Sequence, residues 1–112
     1  VPDIRIYENT TLGIEGLTVR IFVAPGHTET NLIAYVENEK VAYVADTLYS
    51  GYLPTLRFGD KTLWSSWLQS LGLLGDLKPS FVVPGHGEVL YGEAIIEEIE
   101  RHRKTLERAL RR

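Results

Sequence analysis

The stretch of residues 25–46 reads PGHTETNLIAYVENEKVAYVAD and contains two apolar runs separated by four polar residues. The runs Leu32–Val36 and Val41–Ala45 are rich in Val, Ile and Tyr, which is typical of β-strands, and the short polar connection predicts a hairpin. His27 precedes this hairpin and Asp46 directly follows it. Both polar residues are therefore expected where a strand meets a loop.

A second Pro-Gly-His sequence follows the apolar run Phe81–Val83, in the stretch VVPGHG. It places His86 in the same local context as His27, and glycine allows the backbone to turn sharply before each histidine. Loops on a rigid sheet are where catalytic and binding groups concentrate. Two imidazoles and one carboxylate are suitable ligands for zinc, iron or manganese. We therefore predict that His27, Asp46 and His86 are metal ligands.

The remaining elements follow from hydrophobic periodicity and turn residues. They are strands at Ile4–Tyr7, Thr10–Leu12 and Leu17–Val23 with a turn over Gly13–Gly16, a loop over 46–60, a helix from the cap Asp60 to about Leu74, and a helix from Gly92 onward. In the last helix the predicted apolar stripe is Ile95, Ile99, Leu106 and Leu110, with His102 between its halves. The pattern predicts an α/β fold, a mixed β-sheet with helices on one face.

Composition excludes several classes of protein. The chain has 112 residues, a net charge of −3 and no cysteine, so it has no disulfide framework, thiolate zinc site or cysteine nucleophile. No apolar run reaches the ~18 residues of a membrane span. The acidic balance makes a nucleic-acid partner unlikely. The chain shows no signal-peptide pattern, and we expect it in the cytoplasm.

The three motifs resemble the last three ligand motifs of the metallo-β-lactamase superfamily, in order and in spacing. The resemblance covers nearly the whole chain. Members of that family fold as a four-layer αββα sandwich of two similar halves and usually hold two metals, most often zinc and sometimes iron or manganese. The resemblance implies that His27 binds the first metal, that His86 binds the second, and that Asp46 bridges them. It also implies that residues 1–112 are the C-terminal half-domain of such a fold.

The chain departs from the family pattern at two places. It lacks the motif His-x-His-x-Asp-His, and its only other histidine, His102, resembles a His-Arg pair of the last helix and is interpreted as structural. Ala45-Asp46 stands where Gly-Asp is commoner, and where the best-known secreted β-lactamases carry cysteine. The pattern is therefore closer to thioesterases, lactonases and related hydrolases. With two ligands per metal, the chain alone is expected to bind metal weakly.

Two functions are expected from this resemblance. In the first, the chain is the C-terminal part of a zinc hydrolase that activates water on a dinuclear centre to cleave an ester, thioester, lactone or similar bond of a small molecule. In the alternative, it is a non-catalytic half-fold module that dimerises or pairs with a separate N-terminal half. Both functions require a partner for the exposed sheet face, either an N-terminal half of the same fold or a second copy of this chain.

Overall fold

A computed structural model describes residues 9–28, 30–51 and 60–111 of the chain. The elements are β1 Thr10–Ile14, β2 Leu17–Val23, β3 Leu32–Val36, β4 Val41–Tyr49, α1 Lys61–Leu77, β5 Phe81–His86, β6 Leu90–Tyr91 and α2 Glu93–Leu110. The described strands form one sheet in sequential order, antiparallel except for the parallel pair β4 and β5. This mixed sheet with its helices confirms the predicted α/β class. The predicted strand Ile4–Tyr7 lies outside the described residues.

The turn between β1 and β2 is shorter than the sequence predicts. Ile14 pairs with Leu17, so the connection is only Glu15 and Gly16, with φ angles of 47° and 83°. Two-residue hairpin turns favour positive φ at both positions because their twist then matches that of the strands. The predicted turn over Gly13–Gly16 was therefore two residues too long.

Helix α1 begins where the sequence predicts and ends three residues later than predicted. A side-chain oxygen of Asp60 accepts a hydrogen bond from the backbone N–H of Leu63 at 3.0 Å, as an N-cap does. Gly72 and Gly75 lie inside the helix, although glycine favours helix ends, and Leu77 packs against the core. The helix ends at Lys78, which adopts the left-handed conformation with φ 50° and donates to the carbonyl of Gly75.

The hydrophobic core lies between the sheet and the two helices. Its buried members include Phe22, Ile33, Ala42, Val44 and Val82 from the strands and Trp67, Leu71, Leu74, Ile95 and Leu106 from the helices. In α2 the buried stripe is Ile95, His102, Leu106 and Ala109, so the expectation of Leu110 in this stripe was wrong by one position. Neither described helix combines the length and the apolarity needed to cross a membrane.

The other face of the sheet is also apolar. Two rows of paired residues cross it, Ile21, Ala34, Tyr43 and Val83 in one and Val19, Val36, Val41, Phe81 and Tyr91 in the other. We call these nine residues the open face, because each is half-buried or exposed and both described helices pack on the opposite side. Tyr43 is 50% exposed and Tyr91 is 68% exposed. Such a continuous apolar surface is unusual for a monomeric protein.

Candidate metal centre

Asp46 and His86 lie side by side at the end of the parallel strands β4 and β5. Tyr49 pairs with His86, and the N–H of Ser50 donates to the carbonyl of His86 at 2.8 Å. A Cβ placed on Gly85 would lie 3.0 Å from Oδ1 of Asp46. The carboxylate therefore lies against the backbone one residue before His86. This pairing brings two of the three predicted ligands together.

Close approach, more than backbone turning, explains the glycines next to the histidines. A Cβ on Gly85 would lie 2.4 Å from the carbonyl oxygen of Ala45, which only glycine avoids. A Cβ on Gly26 would lie 2.8 Å from the indole of Trp67. Neither of these glycines has a positive φ, whereas Gly87, with φ 96°, does turn the chain directly after His86. At Gly85, inside β5, a tight contact thus replaces the predicted sharp turn, whereas the chain does bend over residues 26–28.

A bulge interrupts the pairing of β4 beside Asp46. The pairing of β4 with β5 shifts register between Tyr43 and Ala45 and again between Ala45 and Tyr49. Ala45 has φ 48°, in the left-handed region that favours glycine. Bulges of this kind re-aim a side chain near a functional site. The strand continues through the bulge to Tyr49, so its predicted end at Ala45 and the predicted loop start at residue 46 were too early.

His27 lies on the loop between β2 and β3 and contacts the helix that crosses above β4. Its ring meets the indole of Trp67 edge-on, with centroids 6.1 Å apart and planes at 76°. Nε1 of Trp67 donates to the carbonyl of Thr47 at 2.8 Å, one residue after Asp46. His27 is therefore held at the same end of the sheet as the other two predicted ligands.

Tyr49 is a residue of this site that sequence reasoning placed in a loop. Burial, the nearby charge of Asp46 and a hydrogen bond to the Asp46 carboxylate together raise the pKa of Tyr49 to about 12. Its hydroxyl is thus protonated at neutral pH and donates to Asp46. The Tyr49 ring also lies 5.3 Å from the ring of His86 and 5.9 Å from that of His102. Tyr49 contacts one predicted ligand through its hydroxyl and another through its ring.

Asn31 is a second residue that sequence reasoning missed. Its side chain is buried, and Oδ1 accepts a hydrogen bond from the backbone N–H of Asp46 at 3.1 Å. Its Nδ2 donates to Oγ1 of Thr47 at 2.5 Å. The available signal was a polar amide at the start of an apolar strand, four residues after His27.

The predicted ligands suit a metal ion by their chemistry, but they do not form a complete site within the described structure. Nδ1 of His27 is buried and has no hydrogen-bond partner among the described residues, so one imidazole nitrogen is left unsatisfied. Imidazole and carboxylate are the donors that zinc takes in catalytic sites. In residues 9–28, 30–51 and 60–111, no three His, Asp or Glu side chains are close enough to hold a metal by themselves.

Known proteins share this sequence pattern over part of their length. The chain is 34% identical over 80 residues to a 2,4-dinitroanisole O-demethylase subunit alpha of Nocardioides sp. (strain JS1661), covering 70% of the chain and 24% of that protein. It is 30% identical over 77 residues to a hydroxyacylglutathione hydrolase of Rhodopseudomonas palustris, covering 68% of the chain and 30% of that protein. An atrochrysone carboxyl ACP thioesterase of Aspergillus fumigatus is 28% identical over 87 residues, which cover 76% of the chain and 19% of that protein. The chain thus spans less than a third of each of these curated relatives.

Solved structures share the fold. A metallo-beta-lactamase family protein of Thermus thermophilus superposes with a TM-score of 0.82 at 20% identity, covering 99% of this chain and 37% of that one. An archaeal metallo-beta-lactamase superfamily protein of Sulfolobus tokodaii gives a TM-score of 0.72 at 20% identity, covering 87% of this chain and 38% of that one. The family model described as "Metallo-beta-lactamase superfamily" matches residues 1–86, which include all three predicted ligands. The chain therefore belongs to the metallo-beta-lactamase superfamily.

Proposed function

We propose that this chain forms part of a zinc-dependent hydrolase, with His27 on one metal, His86 on a second and Asp46 between them. The observation that carries the proposal is the contact of the Asp46 carboxylate with the Gly85 backbone next to His86. This contact supports the proposal because a carboxylate and an imidazole from separate strands lie at one end of the sheet. The chemistry that zinc supplies in such a centre is activation of water and polarisation of the bond to be cleaved.

The chain's own residues orient the ligands. The Tyr49 hydroxyl donates to Asp46 and so restricts the rotation of the carboxylate. Partners of this kind fix the direction of a ligand and tune its basicity. The bulge at Ala45 and the tight contact at Gly85 hold the backbone on either side of Asp46. Asp46 would thus present its oxygens in one preferred direction before any metal arrives.

We propose an ester, thioester or lactone of a small organic acid as the substrate. Two similar proteins are named as a thioesterase and as a hydroxyacylglutathione hydrolase, which supports hydrolysis at an acyl carbon. Iron and manganese accept the same ligands as zinc, so elemental analysis of the purified protein is the measurement that identifies the bound metal.

We further propose that residues 1–112 act as a C-terminal half-domain and that an N-terminal half of the same fold covers the open face. Two observations support this pairing. The open face is apolar across five strands, and the chain covers only 37% and 38% of the two solved structures described above. The partner half would carry the missing His-x-His-x-Asp-His motif. We call this chain together with that half the assembled protein.

Substitution on the open face tests the pairing. Tyr43→Lys places a charge in the middle of the open face and should prevent the two separately produced halves from co-eluting in size-exclusion chromatography. Glu97→Lys on the exposed side of α2 is the matched control and should leave co-elution unchanged. A homodimer of this chain that excludes the N-terminal half would contradict the pairing.

Hydrolysis assays test the chemistry. The assembled protein should cleave at least one of a p-nitrophenyl ester, an acyl thioester and a lactone in the presence of zinc. Asp46→Asn keeps the shape of the side chain but removes its charge, and kcat/KM should fall by roughly 100-fold or more. Asp76→Asn, exposed on α1, is the control and should retain full activity. Full activity of the Asp46→Asn variant would refute the proposed role.

The open face also favours the second function, a module that pairs without catalysing a reaction. Such a module needs the apolar surface but not the ligands. If the assembled protein forms, yet binds no metal and cleaves none of the three substrates, the module is the correct description and the hydrolase proposal is wrong.

A further inference from the structure

Asn31 is a buried amide that joins the His27 loop to the backbone of Asp46. It is 6% exposed and lies one residue before β3, at the point where the loop containing His27 returns to the sheet. Buried polar side chains are costly unless they are hydrogen-bonded. The hydrogen bonds of this amide therefore indicate why it can be buried at this position.

The oxygen of the amide bonds to the Asp46 segment, and the nitrogen bonds both to that segment and to the start of the His27 loop. Oδ1 accepts from the backbone N–H of Asp46 at 3.1 Å. Nδ2 donates to Oγ1 of Thr47 at 2.5 Å and to the carbonyl of Ala24 at 3.3 Å, with the carbonyl of Val44 at 3.5 Å. One side chain thus contacts the start of the His27 loop, the backbone of Val44 and Asp46, and the hydroxyl of Thr47.

The His27 loop is closed by further bonds around this amide. The N–H of Ala24 donates to the carbonyl of Asn31 at 2.8 Å, so the two ends of the loop are bonded to each other. Within the loop, the carbonyl of Pro25 accepts from the hydroxyl of Ser70 at 2.7 Å. The two ends of the loop are held together, and Asn31 bonds them to the Asp46 segment.

We infer that Asn31 is a positioning residue, which sets the place of His27 relative to Asp46 and so the geometry in which the two can share a metal centre. The inference rests on the proposed function, because it assigns Asn31 a role toward that centre. An amide is suited to this role because it supplies an acceptor for the N–H of Asp46 and donors for the hydroxyl of Thr47 and the carbonyl of Ala24. A carboxylate offers no donor, and an apolar side chain would leave the N–H of Asp46 unsatisfied.

A purely structural role makes a different prediction. A residue that only stabilises the fold lowers the unfolding temperature when it is replaced, but the folded fraction still binds metal as before. A positioning residue lowers the metal affinity of the folded protein itself. Zinc affinity, measured at a temperature where the variant is folded, separates the two roles.

The experiment measures zinc dissociation constants of the assembled protein by competition with a chelator. Asn31→Leu should weaken zinc binding about 10- to 100-fold, the range seen when residues that orient ligands are replaced. The control is Asn38→Ala, because the exposed Asn38 also accepts from a backbone N–H, that of Thr18, at 2.7 Å. This control should bind zinc like the unmodified protein.

A second readout does not require metal. Amide hydrogen exchange at Asp46 in the metal-free protein should become faster in Asn31→Leu and remain unchanged in Asn38→Ala, because only the first removes the acceptor of that amide. Unchanged exchange at Asp46 would show that the bond does not restrain the segment, and the inference would fail.

A milder pair of variants applies if Asn31→Leu does not fold. Thr47→Val removes the hydroxyl that accepts from Asn31 and should weaken zinc binding, whereas Thr47→Ser keeps the hydroxyl and should restore most of the affinity. Suppose that the unmodified assembled protein binds zinc and that the Thr47→Val variant, or a folded Asn31→Leu variant, binds zinc equally well. The inference is then wrong, while the proposed function stands. If the unmodified assembled protein binds no zinc, the proposed function and this inference both fall.

Discussion

The backbone N–H of Tyr49 donates a hydrogen bond to Nε2 of His102, 53 residues further along the chain, at 3.1 Å. A nitrogen that accepts a hydrogen bond carries no proton, so the proton of this imidazole is on Nδ1, which lies 2.9 Å from the carbonyl of Glu98. His102 is therefore neutral in the folded protein. It joins helix α2 to the end of β4, three residues after Asp46.

This contact predicts that the protein loses stability in mild acid. Burial lowers the pKa of His102 below its usual 6.5, in spite of the opposing effect of Glu98. The unfolded chain therefore takes up a proton on this residue at a higher pH than the folded chain does. The stabilisation that the neutral His102 contributes to the folded protein is fully present above about pH 6.5. It is lost as the pH falls toward the lower pKa of His102 in the folded state. Urea unfolding at pH 7.5 and at several values below 6.5 measures this loss.

A non-titrating variant isolates the contribution of His102. Glutamine has an acceptor and a donor at similar reach and does not titrate, so His102→Gln should show a smaller loss of stability over the same pH range. If the variant and the unmodified protein lose the same free energy of unfolding between pH 7.5 and 5, His102 is not the group responsible.

Ala45→Gly should be neutral or stabilising, although glycine normally weakens a strand. Ala45 has φ 48°, and a non-glycine residue there costs about 1 kcal/mol or more. Relief of that strain outweighs the greater flexibility of glycine in the unfolded chain, so we expect a gain of up to about 1 kcal/mol. The control is Ala42→Gly on the same strand, which removes a buried methyl group and should cost about 1–2 kcal/mol. A larger loss at position 45 than at position 42 would contradict the assigned conformation.

Gly85→Ala should destabilise the protein by about 1–3 kcal/mol, because the new methyl group would overlap the carbonyl oxygen of Ala45 at 2.4 Å. The matched control is Gly72→Ala in α1, where a Cβ meets nothing within 4 Å. That change should stabilise the helix by about 0.5–1 kcal/mol. Thermal unfolding of both variants checks the comparison, and equal effects at the two positions would show that the strand ends do not approach so closely.

Local patterns were sufficient to predict most of the fold. The alternation and the short polar turn within residues 32–45 predicted the β3–β4 hairpin, and Asp60 identified the start of α1. These features depend on neighbouring residues only. The short strand β6 was missed because two residues, Leu90 and Tyr91, carry no measurable period.

Features that depend on distant residues were not predictable in this way. The bulge at Ala45 arises from the register with β5, whose residues follow some forty positions later. The burial of Asn31, and the hydrogen bond that the N–H of Tyr49 donates to His102, became visible only when the fold brought distant partners together. The types of the candidate ligands are visible in the sequence, whereas the residues that orient them become visible only in the structure.

His27, Asp46 and His86 are proposed above to contribute to one metal centre. Elemental analysis of the assembled protein, purified in zinc and dialysed against metal-free buffer, tests this proposal most directly. About two zinc ions per protein are expected, and His86→Ala should lose at least one of them without loss of folded structure by circular dichroism. Unmodified protein that contains no metal, or a His86→Ala variant that keeps both ions, would contradict it.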